Sequence, residues 1–139
     1  MNIIPMDDAG WLWFNSKLPV LAVEDSCGFL ALSDSGDYIG GCVLDNWTDT
    51  SVQGHFLIEN PLIIRSKFLH VIGTYIFEER GKKLAYALIP GDNEKALKFN
   101  SHIGFTEVAR LKGAFKEGVD CVILELKKEN CVYLLDEVA

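Results

Sequence analysis

Residues 93–105 read NEKALKFNSHIGF, and they predict a short helix with a marked beginning and a marked end. Asp92 or Asn93 can cap its N-terminus, because a side-chain oxygen at that position accepts a hydrogen bond from an unpaired backbone N–H group. Gly104 stands where a left-handed C-terminal cap is expected, so the helix should end near His102. The position of this helix in the sequence helps to define the elements on either side of it.

The residues on either side of this helix predict a strand before it and a hairpin after it. The continuous apolar run at residues 84–89 is typical of a strand that is covered on both faces. Residues 105–111 and 119–127 predict two strands joined by a glycine-containing turn. Further upstream, residues 64–80 carry apolar side chains at helical spacing and Gly81 is a suitable stop, which predicts one long helix.

The first half of the chain predicts an antiparallel meander. Short strand-like runs separated by polar turns lie at residues 20–23, 29–32, 38–44 and 51–58. The pair Asp7-Asp8 ahead of an aromatic cluster predicts a short capped helix before them. The order of elements therefore predicts an α+β fold, with a mixed sheet and one central βαβ crossover, in a single domain over residues 1–139.

Composition and charge exclude several classes of function. The chain has 139 residues, 49% of them hydrophobic, which suffices for one core without a disulfide or metal staple. Its 13 basic and 20 acidic residues give a net charge of −7, which argues against binding nucleic acid or a membrane through a basic surface. The four cysteines form no metal-ligand pattern, so no metal site is predicted. With neither a signal peptide nor a membrane-spanning run, a soluble cytoplasmic protein is expected.

The helical segment resembles a motif of the GNAT superfamily of N-acetyltransferases, which runs Asn, two residues, Ala, a helix and then Gly-Phe. The family's relative positions are occupied here by Asn93, Ala96, Phe99, Gly104 and Phe105. Residues 40–55 are more loosely similar to short GNAT-like proteins of phages and bacteria. The resemblance extends over about residues 20–130, and it implies a mostly antiparallel central sheet with helices on both faces.

The resemblance implies that acetyl-CoA is the co-substrate. In the family, the strands before and after the long helix part from each other, and the thioester arm lies between them. Here these strands are residues 51–58 and 84–89. The residues implied to hold the cofactor along the first strand and the following short helix are Phe56, Leu57, Ile58, Asn93 and Phe99.

The phosphate-binding segment departs from the family pattern. The family has a glycine-containing loop ahead of the long helix, whereas residues 59–68 contain no glycine. Because glycine permits close backbone approach, its absence shifts the expected contacts to side chains. Arg65, Ser66 and Lys67 are the candidates for meeting the diphosphate. The alternative is that the basic residues are solvated on the first turn of a helix.

Two positions carry the implied chemistry. His55 lies on the strand where family members place a base that takes a proton from the acceptor amine, a task that suits histidine near neutral pH. The alternative is that His55 is packed between the sheet and a loop, with its ring nitrogens hydrogen-bonded. Glu59, at the end of the same strand, is a second candidate base or a partner of the helix dipole. Asn100 follows Phe99, where many members have a Tyr that protonates the leaving thiolate. Asn cannot supply that proton, but it can hydrogen-bond to sulfur or pantetheine.

The acceptor side is defined by aromatic residues. Trp47, in a polar turn beside the expected cleft, is predicted to line the acceptor pocket. The aromatic cluster at residues 11–14 either lines the same pocket or belongs to the core. The apolar tail at residues 131–135 is expected to dock on the domain or on a second subunit, so a homodimer is left open.

The leading interpretation is an N-acetyltransferase that moves an acetyl group from acetyl-CoA directly to the amine of a small molecule or a protein. Two alternatives come from other classes. One is a non-catalytic GNAT-fold protein, such as a phage structural or host-interaction protein, which the glycine-free segment and Asn100 favour. The other is a module that binds acyl-CoA without turnover.

Overall fold

One seven-stranded sheet forms the centre of the computed structural model, which describes residues 1–134. The strands are β1 (Asn2–Pro5), β2 (Cys27–Leu32), β3 (Tyr38–Asp45), β4 (Ser51–Ile58), β5 (Leu84–Pro90), β6 (Thr106–Lys116) and β7 (Val119–Lys127). The helices are α1 (Asp8–Lys17), α2 (Phe68–Thr74) and α3 (Glu94–His102). The strand order across the sheet is β1-β2-β3-β4-β5-β7-β6.

The sheet is mostly antiparallel, and its single parallel pair lies in the middle. β4 and β5 pair only at Ser51–Leu84, Val52–Ala85 and Gln53–Tyr86, while each strand continues beyond that point. α2 lies in the connection between them, which makes this the predicted βαβ crossover. The predicted fold class is therefore confirmed, and the two central strands part as the resemblance implied.

Helices and turns cover both faces of the meander. A Cβ atom added at Gly41 would meet Phe14 of α1, whereas one added at Gly40 would meet Ile63, from the turn before α2. Because neighbouring residues of a strand point to opposite faces, α1 and the α2 region lie on opposite sides of β3. The predicted cap of α1 is also present, since the Asp7 carboxylate accepts a hydrogen bond from the Gly10 N–H group.

The prediction of one continuous helix over residues 64–80 is wrong, because the segment is divided into turns of different helical type. A 3₁₀ turn occupies Pro61–Arg65, α2 begins only at Phe68, and a π-helical turn follows at Tyr75–Glu79. Ser66 explains the interruption, because its hydroxyl donates to the Ile63 carbonyl and accepts from the Phe68 N–H group. A hydroxyl that satisfies backbone groups locally competes with helix continuation.

Two strand predictions in the sheet also need correction. Residues 20–23 do not form a strand, and the strand that pairs with β2 on that side is β1, four residues at the start of the chain. β5 is covered on one face only: its buried residues alternate, and Leu88 on the other face is 42% exposed. β6 runs on to Lys116, beyond the predicted end at residue 111.

The C-terminal tail packs on its own domain as far as it is described. Cys131, Tyr133 and Leu134 lie against the core, and the Tyr133 ring contacts the His70 ring of α2 at 5.4 Å. The prediction for residue 135 falls outside the described residues. Within residues 1–134, no helix has both the length and the apolar character needed to cross a membrane.

Candidate active site

A cleft opens where β4 and β5 part. It contains two adjoining cavities of about 170 and 90 Å³. The larger lies between the outer half of β4, the start of α3 and the end of α1, and the smaller lies between β4 and β5. The residues that line both are Leu18, Phe56, Asn93, Ala96 and Asn100.

Most of the predicted site residues meet in this cleft. His55 lines the smaller cavity, and Asn100 lines both. The larger cavity is lined by five of the eight residues predicted to hold the cofactor: Phe56, Leu57, Ile58, Asn93 and Phe99. The Phe56 ring lies 5.9 Å from Phe99 and 6.1 Å from Phe105, so the aromatic wall of the cleft is fixed by packing between β4 and α3.

The predicted phosphate residues lie apart from this cleft. Arg65 and Ser66 line a separate open cavity beside the 3₁₀ turn, and Lys67 is an exposed residue at the start of α2. Two other lysines line the larger cavity of the cleft, Lys17 and Lys95. Lys17 also forms an ion pair of 2.9 Å with Glu59, the residue predicted as a second base. Sequence reasoning missed Lys17 because a contact between distant elements brings it to the cleft.

Trp47 lies at the other end of β4 from the cleft. Its ring packs 3.8 Å from the Arg80 guanidinium and meets the edge of Tyr75 at 6.0 Å. It lines neither cavity of the cleft. In the aromatic cluster predicted for α1, Phe14 is fully buried and belongs to the core.

His55 is paired with a buried carboxylate that the sequence did not reveal. The register of β3 and β4 sets Val43 opposite His55 and Asp45 opposite Gln53, so Asp45 and His55 are diagonal neighbours on one face. The His55 Nε2 atom lies 3.0 Å from each Asp45 carboxylate oxygen. Asp45 is only 4% exposed. The one sequence signal was an Asp at the end of an otherwise apolar strand.

The charge of Asp45 also affects Tyr86. Burial, followed by the Asp45 and Asp25 carboxylates, raises the pKa of the Tyr86 phenol. Tyr86 pairs with Gln53 across the last parallel position before β4 and β5 part. The phenol therefore remains protonated at neutral pH.

Asn100 lines both cavities of the cleft and has a buried side-chain acceptor. Its side chain is 3% exposed, and its Nδ2 atom donates to the Ala96 carbonyl at 2.8 Å. That bond fixes the amide orientation, and within residues 1–134 the Oδ1 atom is buried without a partner. A buried acceptor without a partner costs about 1–3 kcal/mol. The site therefore fits a ligand that brings an N–H or S–H donor to this atom.

The two ends of α3 agree with the sequence prediction. The Asn93 side chain accepts a hydrogen bond from the Ala96 N–H group at 3.1 Å, as expected of an N-cap. Gly104 has a φ of 110°, which an L-residue adopts only with strain. The cap also holds Asn93 at the wall of both cavities.

This arrangement is the fold of the GNAT N-acetyltransferases, as the sequence resemblance implied: a mixed sheet whose two central strands pair in parallel at one end and part at the other. No protein-family model and no curated protein matches the sequence. Solved structures do match the fold.

Spermidine N-acetyltransferase of Vibrio cholerae is one of these structures. A mutant form has a TM-score of 0.76 at 13% identity, over 96% of this chain and 95% of that chain. The same enzyme in complex with CoA and spermine has a TM-score of 0.70 at 13% identity, over 93% and 96% of the two chains. A GNAT-family protein of Desulfovibrio desulfuricans has a TM-score of 0.64 at 18% identity, over 75% and 70%. At these identities the similarity establishes the fold.

Proposed function

We propose that this chain is an N-acetyltransferase that moves the acetyl group of acetyl-CoA to an amine. The observation that carries the proposal is that one cleft, at the point where β4 and β5 part, gathers His55, Asn100 and the five cofactor candidates of β4 and α3. The neighbour of the same fold that binds CoA and spermine supports the same substrate classes.

The parted strands offer backbone groups to the cofactor. Beyond Gln53, no described strand pairs with the edge of β4 that faces β5. Beyond Tyr86, no described strand pairs with the edge of β5 that faces β4. Backbone N–H and C=O groups need partners, and an extended amide-containing arm such as pantetheine can add to a strand edge. Phe56, Leu57 and Ile58 lie on that part of β4. Asn93 and Phe99 face it from α3 and would enclose the arm.

The reaction needs a base and a route for the leaving group. The amine nitrogen attacks the thioester carbonyl carbon, the new N–C bond forms, and the C–S bond breaks with its electron pair on sulfur. His55 accepts the proton that the amine loses. Asn100 cannot supply a proton, because a side-chain amide is not an acid near neutral pH and its Oδ1 atom only accepts hydrogen bonds. The thiolate therefore takes its proton from water.

The diphosphate has two sets of candidate partners. Lys95 is the lysine at the larger cavity for which the described residues provide no ion pair, whereas Lys17 is engaged with Glu59. Arg65 and Lys67 are exposed beside the start of α2, likewise with no ion pair among the described residues. We retain Arg65, Ser66 and Lys67 as the proposed outer phosphate site. Side-chain cations can replace the glycine-lined backbone there.

The acceptor is proposed to be a small amine. The chain carries a net charge of −7, which attracts cationic substrates at low ionic strength. Spermidine and spermine are the first compounds to test, because the acetyltransferase with the same fold acts on spermidine.

Product formation tests the proposal. The purified chain is incubated with acetyl-CoA and a panel of amines, including spermidine, spermine and lysine-containing peptides, and acetylated products are measured by mass spectrometry. This readout avoids thiol reagents, which would also react with the protein's own cysteines. Turnover that His55→Ala abolishes supports the proposal. Tight acetyl-CoA binding with no product from any amine would favour the module that binds acyl-CoA without turnover.

A further inference from the structure

The Asp45 carboxylate is nine-tenths buried, and among the described residues its ion-pair contact is with His55. The Asn46 side-chain amide also approaches it, at 3.3 Å. A buried carboxylate is strongly disfavoured without hydrogen-bond donors. Asp45 therefore requires the His55 ring to direct a donor toward it.

The geometry defines which ring nitrogen of His55 carries the proton. An ionised carboxylate only accepts hydrogen bonds, so the nitrogen 3.0 Å from both Asp45 oxygens must be the donor. That nitrogen is Nε2. In the neutral ring the lone pair then lies on Nδ1, which has no hydrogen-bond partner within residues 1–134 and is not among the fully buried unpartnered atoms.

A second layer of side chains holds the carboxylate in place. The Asn46 Nδ2 group donates to the Gln53 Oε1 atom at 2.7 Å, and Gln53 is itself buried beside Asp45 in the strand register. Asn46 has a positive φ of 51°, which ends β3 and turns its amide back onto the sheet. The network is therefore built by the strand ends rather than by a flexible loop.

We propose that Asp45 is the positioning residue of the site, holding His55 as the Nε2–H tautomer so that Nδ1 is the atom that receives the acceptor's proton. This inference rests on the proposed function for its chemical role. During attack, the amine proton moves to Nδ1 as the N–C bond forms and the C–S bond breaks. The Asp45 carboxylate then balances the charge of the imidazolium, and the thiolate is protonated by water.

Tautomers can be measured without any turnover. The chain has only three histidines, so ¹⁵N-edited spectra that correlate ring nitrogens with ring protons resolve them, with His55→Gln assigning the signals. At a pH where the ring is neutral, we expect wild-type His55 as the Nε2–H form. In Asp45→Asn the amide can accept from or donate to the ring, so we expect a mixture. Asp25→Asn is the matched control: it removes a nearby carboxylate that, among residues 1–134, accepts hydrogen bonds from the Asn46 and Trp47 backbone amides.

Kinetics then test the chemical role. We expect Asp45→Asn to lower kcat about a hundredfold or more with little change in the KM for acetyl-CoA, because general-base assistance typically contributes about 10²–10⁴. Asp25→Asn should keep the wild-type tautomer and rate. A wild-type Nδ1–H form, or an unchanged tautomer in Asp45→Asn, would overturn the proposal. The wild-type measurement stands even if Asp45→Asn does not fold. If the tautomer is as expected but no amine is acetylated, the proposed function fails. Asp45 then fixes the tautomer of His55 but has no role in acetyl transfer.

Discussion

Replacing Asn100 by Leu should make the protein more stable. The substitution removes a buried acceptor without a partner, which relieves about 1–3 kcal/mol. It also removes the hydrogen bond from Nδ2 to the Ala96 carbonyl, at a cost of about 0.5–1.5 kcal/mol. Leu favours a helix over Asn by a few tenths of a kcal/mol. The adjoining cavities leave room for the larger side chain.

The net expectation is a gain of about 1 kcal/mol in the free energy of unfolding. For a chain of this length, that corresponds to a rise in Tm of about 2–5 °C. The same change should weaken acetyl-CoA binding about fivefold, because one hydrogen bond of about 1 kcal/mol is lost. Asn100→Ala removes the acceptor without added volume, so it should weaken binding by a similar factor.

Urea denaturation and calorimetric titration measure the two effects separately. Ser101→Ala, at an exposed position on the same helix, is the matched control and should change stability by less than about 0.5 kcal/mol. A less stable Asn100→Leu protein whose acetyl-CoA affinity equals that of the wild type would refute the reasoning. Asn100 would then be a structural residue satisfied within the fold.

Three further predictions follow from the site and the hairpin. His55→Ala should lower kcat at least a hundredfold while acetyl-CoA affinity, measured by calorimetry, changes less than about twofold, because a base acts only on the acceptor; equal losses would make His55 a binding residue. Arg65→Ala and Lys67→Ala should weaken CoA but not pantetheine, which lacks the diphosphate; equal effects on both would remove them from the phosphate site. A hydrogen bond from the Gly113 N–H group, followed by the nearby Lys112 charge, lowers the pKa of Asp120. The ionised Asp120 side chain therefore stabilises the fold above the pKa that it has in the unfolded chain, and this contribution is lost as the pH falls through the lowered pKa of the folded state. Asp120→Asn should therefore flatten the acid limb of stability in urea titrations that run from about pH 5 to about pH 2, and an unchanged acid limb would contradict this.

The sequence predicted those parts of the fold that depend on local signals. β4 and β7 have the predicted bounds, and the α3 helix begins at its Asn93 cap and is followed by Gly104 in the left-handed region. Period, caps and turns are encoded within a few residues, so one sequence suffices to read them. The motif around α3 also supplied three predicted site residues, Asn93, Phe99 and Asn100, which line one cavity in the structure.

The features that were missed depend on tertiary contacts. β1 is only four residues long and ends in Pro5, so nothing local marks it as a strand. Asp45 and His55 are ten residues apart in sequence, and only the strand register brings them together. Lys17 reaches the cleft because α1 packs across the sheet. The break before α2 had one local signal, Ser66, whose hydroxyl competes with the helix for backbone groups.

The proposal and its non-catalytic alternative differ in what they expect of the cleft. The proposal expects the unpartnered Oδ1 atom of Asn100 to gain a hydrogen bond from a bound ligand. The non-catalytic alternative gives this atom no ligand, so its burial only costs stability. Proteins tend to carry such costs at functional sites, which favours the proposal.

Each role proposed for the cleft requires that acetyl-CoA binds there, and a thermal-shift titration measures that binding. A ligand that binds only the folded chain stabilises it by about 2.7 kcal/mol at a hundredfold excess over Kd, which raises Tm by several degrees in a domain of this size. We predict such a shift with acetyl-CoA and with CoA, a much smaller one with ATP, and a reduced one in Asn100→Ala. No shift with acetyl-CoA at millimolar concentration would contradict the account, and the non-catalytic interpretation would replace it.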